Sequence, residues 1–325
     1  MKYFLIGGAG YIGSNVAFLL SQDKKNQVLV YDNLSTGSKR SVPKNAAFVL
    51  ADQLDFKKLN ETMKKFKPDV VMHFAAKIIV SESVSMPVEY YENNVGGMIN
   101  IIKAMRLNNI TRLIFSSTAA TYGMPENIPV AETDVTNPIN PYGSSKLACE
   151  YLIKAAEVAY GIKAVIFRYF NVAGASDNYD LGIFNKNTTL LLPRIIRSVL
   201  QGEQLSVFGT DYDTRDGSCI RDYIHVVDLA KAHLLAADYL QKAKKTIIAN
   251  LGTNKGYTVL ECLKEVEKVL KIKVNFKKAK RRPGDPEVLL TSNKNASKIL
   301  KWKPLKSLAD MIKSEYEFEK KHGPF

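Results

Sequence analysis

Residues 7–13 read Gly7-Gly-Ala-Gly10-Tyr-Ile-Gly13, and this stretch decides the fold. An apolar run at residues 2–6 precedes it, and apolar residues at helical spacing follow it at 16–20. The order is therefore strand, glycine loop and helix. Glycines in such a loop let the main chain approach a pyrophosphate, whose charge the helix N-terminus stabilises. We expect a dinucleotide site here, and the loop residues that we assign to it are Gly7, Gly10, Tyr11, Ile12 and Gly13.

One carboxylate indicates which dinucleotide is bound. The second apolar run, residues 28–31, ends in Asp32, about twenty residues beyond the loop. A carboxylate at this place accepts hydrogen bonds from ribose hydroxyls and would repel a 2′-phosphate, so we expect NAD rather than NADP. The alternative is that Asp32 is an ordinary turn residue at a strand end.

Strand and helix patterns alternate along the first half of the chain. Further strands are predicted at 47–50, 70–74, 112–116 and 164–167, and helices at 56–66, 86–105 and 147–160. This alternation predicts an α/β fold with a parallel, doubly wound sheet, whose ligands bind outside the carboxyl ends of the strands. Asp52, Phe74-Ala-Ala76 and Ser116-Ser-Thr118 each follow one of these strands, although each could also serve only in a turn.

A tyrosine and a lysine share one helical face after the fifth strand. Tyr142 and Lys146 lie one turn apart at the head of an amphipathic pattern. A free phenol has a pKa of about 10, and a cation nearby can lower that value by roughly 1–3 units. The pair therefore predicts a proton-transfer group tuned toward neutral pH.

Composition excludes several classes of protein. The 325 residues are 46% apolar and 24% charged, as in globular proteins, and no window is long and apolar enough to cross a membrane. The net charge is +14, but the lysines are scattered rather than interleaved with aromatic residues, so no nucleic-acid partner is expected. The three cysteines lack disulfide or metal spacing, which predicts reduced thiols, a cytoplasmic location and no metal site.

The combination of motifs resembles a known family. The stretches that carry the resemblance are 7–14, Asp32-Asn-Leu-Ser-Thr-Gly37, Tyr90-Tyr-Glu-Asn-Asn-Val95, Asn140-Pro-Tyr-Gly-Ser-Ser-Lys146, Arg168-Tyr-Phe-Asn171, Arg221-Asp-Tyr-Ile-His-Val226 and Arg281-Arg-Pro-Gly-Asp285. Over nearly all of its length the chain is similar to the extended short-chain dehydrogenase/reductases, which act on nucleotide sugars, and more narrowly to the UDP-glucose 4-epimerase family.

The resemblance implies a domain division. Residues 1–175 would form the NAD-binding Rossmann domain, with 220–250 returning to it. Residues 176–219 and 251–325 would form a smaller C-terminal α/β domain for the nucleotide sugar. Relatives pair through two helices per subunit, which here correspond to about 88–105 and 142–160, so a homodimer is expected.

The resemblance also assigns roles to particular residues. Tyr142 would be the catalytic acid and base, Thr118 would link it to the sugar, and Lys146 would hold the nicotinamide ribose. The remaining cofactor residues would be Asp32, Asn33, Asp52, Gln53, Phe74, Ala75, Asn93, Ser116 and Tyr169.

The second half of the chain would hold the UDP-hexose. Two guanidiniums, Arg221 and Arg282, could grip a diphosphate in a bidentate geometry that lysine cannot supply. The resemblance places both on the substrate phosphates and Asp285 on the uridine ribose. The other substrate residues that it implies are Asn171, Leu191, Val207, Phe208, Tyr223 and Leu289.

The sequence departs from the family pattern at three positions. Leu190 stands where many members have Asn or His, and Ile78 where one subgroup has Lys. Leu289 stands where some members place a bulky tyrosine against the sugar. The smaller side chain suggests the hypothesis that N-acetylhexosamines are also accepted.

The implied reaction is NAD-dependent epimerisation at C4 of a UDP-hexose through a 4-keto intermediate. A 4,6-dehydratase is the nearest rival, but related dehydratases have Asp-Glu after the active-site threonine, where this chain has Ala119-Ala120. A UDP-glucuronate decarboxylase is disfavoured less decisively. A binding protein that only senses NAD would be expected to lose Tyr142 or Lys146, and both are present.

Overall fold

The computed structural model describes residues 1–281 and 286–323. Its strands are β1 (Lys2–Ile6), β2 (Gln27–Asp32), β3 (Ala47–Leu50), β4 (Val70–His73), β5 (Arg112–Thr118), β6 (Lys163–Tyr169), β7 (Asn171–Ala173), β8 (Leu205–Phe208), β9 (Ile220–His225), β10 (Ile247–Leu251), β11 (Gly256–Thr258), β12 (Phe276–Ala279) and β13 (Val288–Leu289). All six strands predicted for the first half are present, with ends within two residues of the expected positions.

The α-helices pack around these strands. They are α1 (Tyr11–Ser21), α2 (Phe56–Phe66), α3 (Val80–Ser85), α4 (Pro87–Tyr91), α5 (Gly97–Leu107), α6 (Pro141–Tyr160), α7 (Leu191–Gln201), α8 (Val226–Leu240), α9 (Val259–Leu270), α10 (Lys294–Leu300) and α11 (Leu308–His322). No described helix has the length and apolar character needed to span a bilayer.

Two predicted helices differ in their bounds. The helix predicted over 86–105 is interrupted by a π-helical turn, Glu92–Gly96, between α4 and α5. The helix predicted from residue 147 begins earlier, at Pro141, where the Asn140 side chain accepts a hydrogen bond from the Gly143 N–H at 2.8 Å. The earlier start places Tyr142 in the first turn of α6.

The large sheet has seven parallel strands in the order β10-β6-β5-β4-β1-β2-β3. Alternate residues of β1 pack on opposite faces: Tyr3 and Leu5 join the cluster under α1 and α8, while Phe4 and Ile6 join the cluster under α2, α5 and α6. Burial on both faces explains why the strand is a continuous apolar run. The doubly wound parallel fold predicted from the sequence is confirmed, and its strand order reverses between β1 and β4.

Two small sheets belong to the later part of the chain. Strand β9 pairs with β7, β11 and β13, and β8 pairs in parallel with β12. A third cluster of buried apolar side chains lies between these strands and the helices α7, α9 and α11. Strand β10 and helix α8 belong instead to the large sheet and its packing face. The exact division into two domains stays a prediction.

The final helix carries a fully buried carboxyl group. Glu315 of α11 lies beside Glu319, Arg197 and the main chain of Gly174. Burial and, to a lesser extent, the Glu319 charge raise the pKa of Glu315 to about 8, against opposing effects from Arg197 and the Gly174 main chain. The folded protein therefore holds this proton at neutral pH, whereas an unfolded glutamate would release it near pH 4.5.

This difference predicts how stability depends on pH. Because the folded pKa is the higher one, ionisation opposes folding, and the contribution of Glu315 to stability falls as the pH rises from about 4.5 to about 8. We expect Glu315→Gln to remove this loss and to be more stable than the wild type at pH 8.5 by at least about 2 kcal/mol. Urea unfolding at pH 5 and 8.5 measures the difference in free energy of unfolding between Glu315→Gln and the wild type, and this difference should be smaller at pH 5.

Glu319→Gln is the matched control on the same helix. Glu319 Oε1 lies 2.7 Å from Arg197 Nε, so the substitution removes an ion pair and should destabilise the protein. Equal stability of the wild type and Glu315→Gln at both pH values would contradict the prediction.

Candidate functional site

The glycine loop forms a cradle at the carboxyl end of β1. Gly7 has a φ of +77°, and a Cβ on it would lie 2.4 Å from the Ala75 nitrogen of the neighbouring β4 end. A Cβ on Gly13 would lie 2.4 Å from the Gly7 carbonyl oxygen. Only glycine fits at these two positions, because the loop folds tightly onto itself and onto the next strand. The loop opens directly into the N-terminus of α1, as an anion site requires.

Carboxylates fix the loop edges beside this cradle. Asp32, at the end of β2, accepts hydrogen bonds from the Ala9 N–H at 2.9 Å and the Leu34 N–H at 2.8 Å. Each carboxylate oxygen keeps a further lone pair for a ribose hydroxyl. Asn33 donates to Asp52 at 2.7 Å, so these two predicted residues meet at the ends of β2 and β3. The donor and acceptor set and the glycine cradle fit NAD.

Gln53 and Asn93 meet at the π-helical turn. Gln53 Nε2 donates to the Asn93 carbonyl at 2.8 Å, and Gln53 Oε1 lies 2.7 Å from His73 Nε2. Each end of the Gln53 amide thus has a partner within the protein, and the place of Gln53 beside the adenine stays a prediction. The amide also packs against Gly97, the first residue of α5, where a Cβ would lie 2.4 Å from it.

The reacting tyrosine lies where α6 meets the end of β5. A Cβ on Gly143 would lie 2.5 Å from the Ala120 carbonyl oxygen, so a glycine is needed for this close approach. The approach brings Tyr142 against Thr118, and the two side chains are hydrogen-bonded. Lys146, one turn further along α6, is 2% exposed. The structure thus brings together the three residues predicted to be catalytic.

The pKa of Tyr142 shifts in the direction opposite to our expectation. Burial raises it above 10, and the hydrogen bond from Thr118 opposes the rise. The sequence had suggested that Lys146 would bring this pKa toward neutrality, which is wrong for the protein alone, because loss of hydration outweighs nearby favourable contacts. Burial lowers the pKa of Lys146 to about 8, against opposing effects from Cys149 and Glu150. Lys146 is therefore still a cation at neutral pH.

An aromatic ring supports the lysine. Lys146 Nζ lies 4.8 Å from the ring centroid of Phe115, and the His73 ring stacks on Phe115 at 5.7 Å with an interplanar angle of 11°. Burial lowers the pKa of His73, and the Lys146 charge lowers it further. His73 is thus a neutral packing partner. It was not identified from the sequence, because nothing in the pattern around β4 marks it.

A buried ion pair ties α6 to the sheet. Glu150 receives hydrogen bonds from Arg168 Nε at 3.0 Å, from Arg168 Nη2 at 2.6 Å and from Ser117 Oγ at 2.5 Å. The Arg168 guanidinium also lies 4.7 Å from the Tyr122 ring centroid. Glu150 follows Lys146 by one helical turn, and this spacing is the signal that could have identified it.

Ser116 and Tyr169 share a hydroxyl contact at the ends of β5 and β6. The two oxygens are 2.7 Å apart, and Tyr169 Oη also lies 2.7 Å from His233 Nε2 on α8. Phe74 packs against the His233 ring with centroids 5.1 Å apart. His233 thus connects these three predicted cofactor residues. The sequence did not identify His233 as a residue of the site.

Tyr11 and Ile12 lie at the start of α1. Tyr11 donates a hydrogen bond to the Gly174 carbonyl, and burial raises its pKa. Ile12 packs against the cluster under α1 and α8. Gly10 precedes α1, and Ala75 donates its N–H to the Ile6 carbonyl at 3.1 Å.

The predicted substrate residues are less closely grouped. Asn171 Nδ2 donates to the Asp222 carbonyl at 3.0 Å, and Arg221 Nη1 donates to the Ile220 carbonyl at 2.9 Å. Leu191 begins α7, and Val207 and Phe208 end β8. Arg282 and Asp285 lie outside the described residues. Tyr223 was predicted to touch substrate, but it is 4% exposed within the third apolar cluster and hydrogen-bonded to Cys262, so it is a core residue.

Leu289 is partly buried at the end of β13. It packs on a small apolar cluster formed by Ala119, Tyr122, Val130 and Phe170. Ala119, one member of this cluster, directly follows Thr118 in the chain. His225 at the end of β9 is buried, and its Nε2 lies 3.1 Å from Ser314 Oγ.

The chain is similar to known proteins over almost its whole length. Residues 3–252 match the model of the NAD dependent epimerase/dehydratase family. The chain is 43% identical to the UDP-glucose 4-epimerase of Lactobacillus helveticus over 99% of this chain and 98% of that protein.

Solved structures agree with this similarity. The crystal structure of UDP-glucose 4-epimerase from Brucella ovis in complex with NAD superposes with a TM-score of 0.94 at 41% identity, and 98% of each chain is covered. The UDP-Glc/GlcNAc 4-epimerase of Campylobacter jejuni superposes with a TM-score of 0.84 at 39% identity, and 99% of each chain is covered.

The glycine cradle gives a prediction about dinucleotide retention. Gly13→Ala places a Cβ against the Gly7 carbonyl and should open the loop, lowering both the melting temperature and the amount of NAD that copurifies. We expect a loss of roughly 1–3 kcal/mol of stability. Differential scanning fluorimetry and nucleotide analysis after heat release measure the two effects.

Gly10→Ala is the matched control in the same loop. A Cβ on residue 10 would have the Gly7 carbonyl oxygen as its nearest neighbour at 3.4 Å, and the φ of −77° suits alanine. The melting temperature should stay close to that of the wild type. A Gly13→Ala protein with unchanged melting temperature and NAD content would contradict the cradle geometry.

Proposed function

The chain belongs to the NAD dependent epimerase/dehydratase family and, within it, to the UDP-glucose 4-epimerases; from this premise we propose that Tyr142, Thr118 and Lys146 carry its chemistry. The activity is NAD-dependent epimerisation at C4 of a UDP-sugar. The observation that supports these roles is the Tyr142–Thr118 hydrogen bond at the carboxyl edge of the sheet, with the Lys146 cation buried one turn away.

Tyr142 moves the proton. Its phenolate oxygen takes the proton of the sugar 4-hydroxyl, and the Thr118 hydroxyl holds both oxygens in hydrogen-bonding range. When bound, NAD supplies the hydride acceptor and, as a pyridinium cation, a charge that favours the Tyr142 phenolate. Tyr142 later returns its proton to the 4-keto oxygen, after the sugar has presented its other face. The raised pKa of Tyr142 suits the return step, because a weak acid keeps its proton until the oxygen becomes basic.

The reaction requires tighter binding of the nucleotide than of the hexose. The 4-keto hexose must rotate within the site between the two hydride transfers. The protein therefore has to hold the nucleotide firmly and make few charged contacts with the sugar. Arg221 and Arg282 are proposed to hold the diphosphate, with Asp285 on the uridine ribose. Arg221 lies on β9 directly opposite Leu289 of the neighbouring strand β13, so the residue proposed for the diphosphate and the residue proposed for the sugar lie side by side.

A 4,6-dehydratase would need a further acid and base. Elimination of water across C5–C6 requires such groups beside the reacting carbons. The positions after Thr118 are Ala119 and Ala120, which form a short 3₁₀ turn against the start of α6. Neither side chain can transfer a proton, and this favours epimerisation.

N-acetylated sugars are the second candidate substrates. Leu289 is proposed to leave room for a 2-acetamido group, because leucine is shorter than the tyrosine of some relatives. The Campylobacter jejuni neighbour is named a UDP-Glc/GlcNAc 4-epimerase, which supports this wider range.

A homodimer is proposed through α4, α5 and α6. Exposed apolar side chains concentrate on these helices, among them Val88, Leu107, Tyr151 and Val158, which is 90% exposed. Such a surface favours association with an equally apolar partner. A cytoplasmic location is proposed from the three free cysteines, Cys149, Cys219 and Cys262, which all lie buried as thiols.

The direct test of function uses the purified protein without added NAD. Conversion of UDP-galactose to UDP-glucose is expected, and Tyr142→Phe should retain NAD yet lose kcat by at least roughly 10³-fold, because phenylalanine lacks the oxygen that is proposed to take the 4-hydroxyl proton. Product sugars are identified by chromatography, and retained NAD by nucleotide analysis.

Tyr90→Phe is the matched control for the phenol. The Tyr90 ring makes an edge contact with Tyr142 at 6.5 Å, and its hydroxyl binds Ile79 and Glu82. It should lose stability but keep turnover within about tenfold. Near-normal kcat in Tyr142→Phe would refute the acid–base role.

The sugar range is tested at Leu289. Leu289→Tyr should lower kcat/KM for UDP-N-acetylgalactosamine by roughly tenfold or more, and that for UDP-galactose by less than about threefold, because a filled pocket excludes the acetamido group. Leu289→Met keeps the volume and should preserve both values. Equal losses for the two sugars in Leu289→Tyr, or no conversion of N-acetylated sugars by the wild type, would refute the assignment.

A further inference from the structure

Three side chains form a line of hydrogen bonds from the core to the cofactor cleft. His233 lies on α8, Tyr169 at the end of β6 and Ser116 near the end of β5. His233 is fully buried, whereas 7% of Ser116 remains exposed at the edge of the sheet where ligands bind. The number of protons on these three groups determines which of them donates and which accepts in each hydrogen bond.

The histidine determines the direction. His233 Nδ1 lies 2.9 Å from the Leu229 carbonyl oxygen, and a carbonyl can only accept, so the proton resides on Nδ1. Burial lowers the pKa of His233 to about 4, so the ring is neutral and its Nε2 is a bare acceptor. The Tyr169 hydroxyl, 2.7 Å from Nε2, must donate its single proton there.

The serine takes the remaining role. Tyr169 Oη lies 2.7 Å from Ser116 Oγ and has no second proton to offer, so the Ser116 hydroxyl donates to Tyr169. The single hydroxyl proton of Ser116 is therefore used in the hydrogen bond to Tyr169. Toward the cleft its oxygen presents lone pairs alone, and it can bind a donor but cannot donate.

The place of Ser116 identifies the donor. It precedes Thr118 by two residues on β5, so both side chains point to the same face about 7 Å apart. Thr118 is hydrogen-bonded to Tyr142, where the hydride leaves the sugar, so the nicotinamide end of the cofactor must lie there. The N–H donor of that end is the carboxamide amino group.

We propose that His233 is a positioning residue that makes Ser116 Oγ an obligate acceptor for the carboxamide amino group of the nicotinamide. This inference rests on the proposed function, because it requires NAD to bind in this cleft. His233 itself touches neither the cofactor nor the substrate. It acts through the Tyr169 hydroxyl, and its tautomer selects a cofactor with a donor at this position.

The test compares NAD with its 3-acetylpyridine analogue, in which a methyl group replaces the amino group. The holoenzyme is equilibrated with both dinucleotides in equal excess until the bound fraction is constant, and the bound nucleotides are quantified by mass spectrometry. The wild type should prefer NAD by roughly tenfold, because the analogue leaves the Ser116 oxygen without a donor. The thionicotinamide analogue keeps the amino group and should compete about as well as NAD.

Four variants distinguish an effect of hydrogen-bond direction from a general loss of stability. In His233→Phe the Tyr169 proton is free to turn to Ser116, so the preference should fall below about twofold, as it should in Ser116→Ala. His233→Gln can restore an acceptor and should recover most of the preference. His225→Gln removes a second buried histidine, which contacts Ser314 and not Tyr169 or Ser116, and should keep the full preference whatever its stability.

The outcomes distinguish this inference from the proposed function. A wild type that neither retains NAD nor converts UDP-galactose overturns the proposed function and this inference with it. A wild type that does both, but whose preference persists in His233→Phe, overturns this inference alone. Preference lost in Tyr169→Phe but retained in His233→Phe would show that the direction does not come from the histidine, and would also overturn it.

Discussion

The site depends on one close approach between main chains. The start of α6 reaches the turn after β5 so closely that a Cβ on Gly143 would lie 2.5 Å from the Ala120 carbonyl oxygen. This contact joins Tyr142 to Thr118 and sets Lys146 over Phe115. If α6 moved outward by about an ångström, the hydrogen bond between the Tyr142 and Thr118 hydroxyls would be lost, because hydrogen bonds weaken steeply with distance.

Polar groups behind the site keep that approach rigid. The Glu150–Arg168 pair lies buried between α6 and β6, and Ser117 adds a hydrogen bond to the carboxylate. A buried ion pair adds little net stability, but breaking one partner is costly, so the arrangement has few alternatives. On the other side, Gln53 joins His73 to the π-helical turn. The position of Tyr142 thus depends on polar contacts made within the protein, behind the glycine loop and beneath α6.

Much of this arrangement could be predicted from the sequence. The glycine loop, Asp32 and the alternating strands indicated a dinucleotide cleft, because their signals are local. The interruption of the helix over 86–105 was missed, since it arises where the Gln53 amide packs on Gly97, a contact between distant segments. The pKa direction of Tyr142 was also missed, because spacing along a helix shows a neighbour but not the degree of burial.

The contacts of the last helix link the two ends of the chain. Ser314 accepts the Ala175 N–H at 3.1 Å, and the adjoining Gly174 carbonyl holds Tyr11 of the glycine loop. Residues near position 11 therefore reach their final surroundings only after residues near 314 have been made. During translation, a nascent chain that has not yet reached α11 would carry its dinucleotide loop without this brace, and tight capture of the nucleotide would follow the synthesis of that helix.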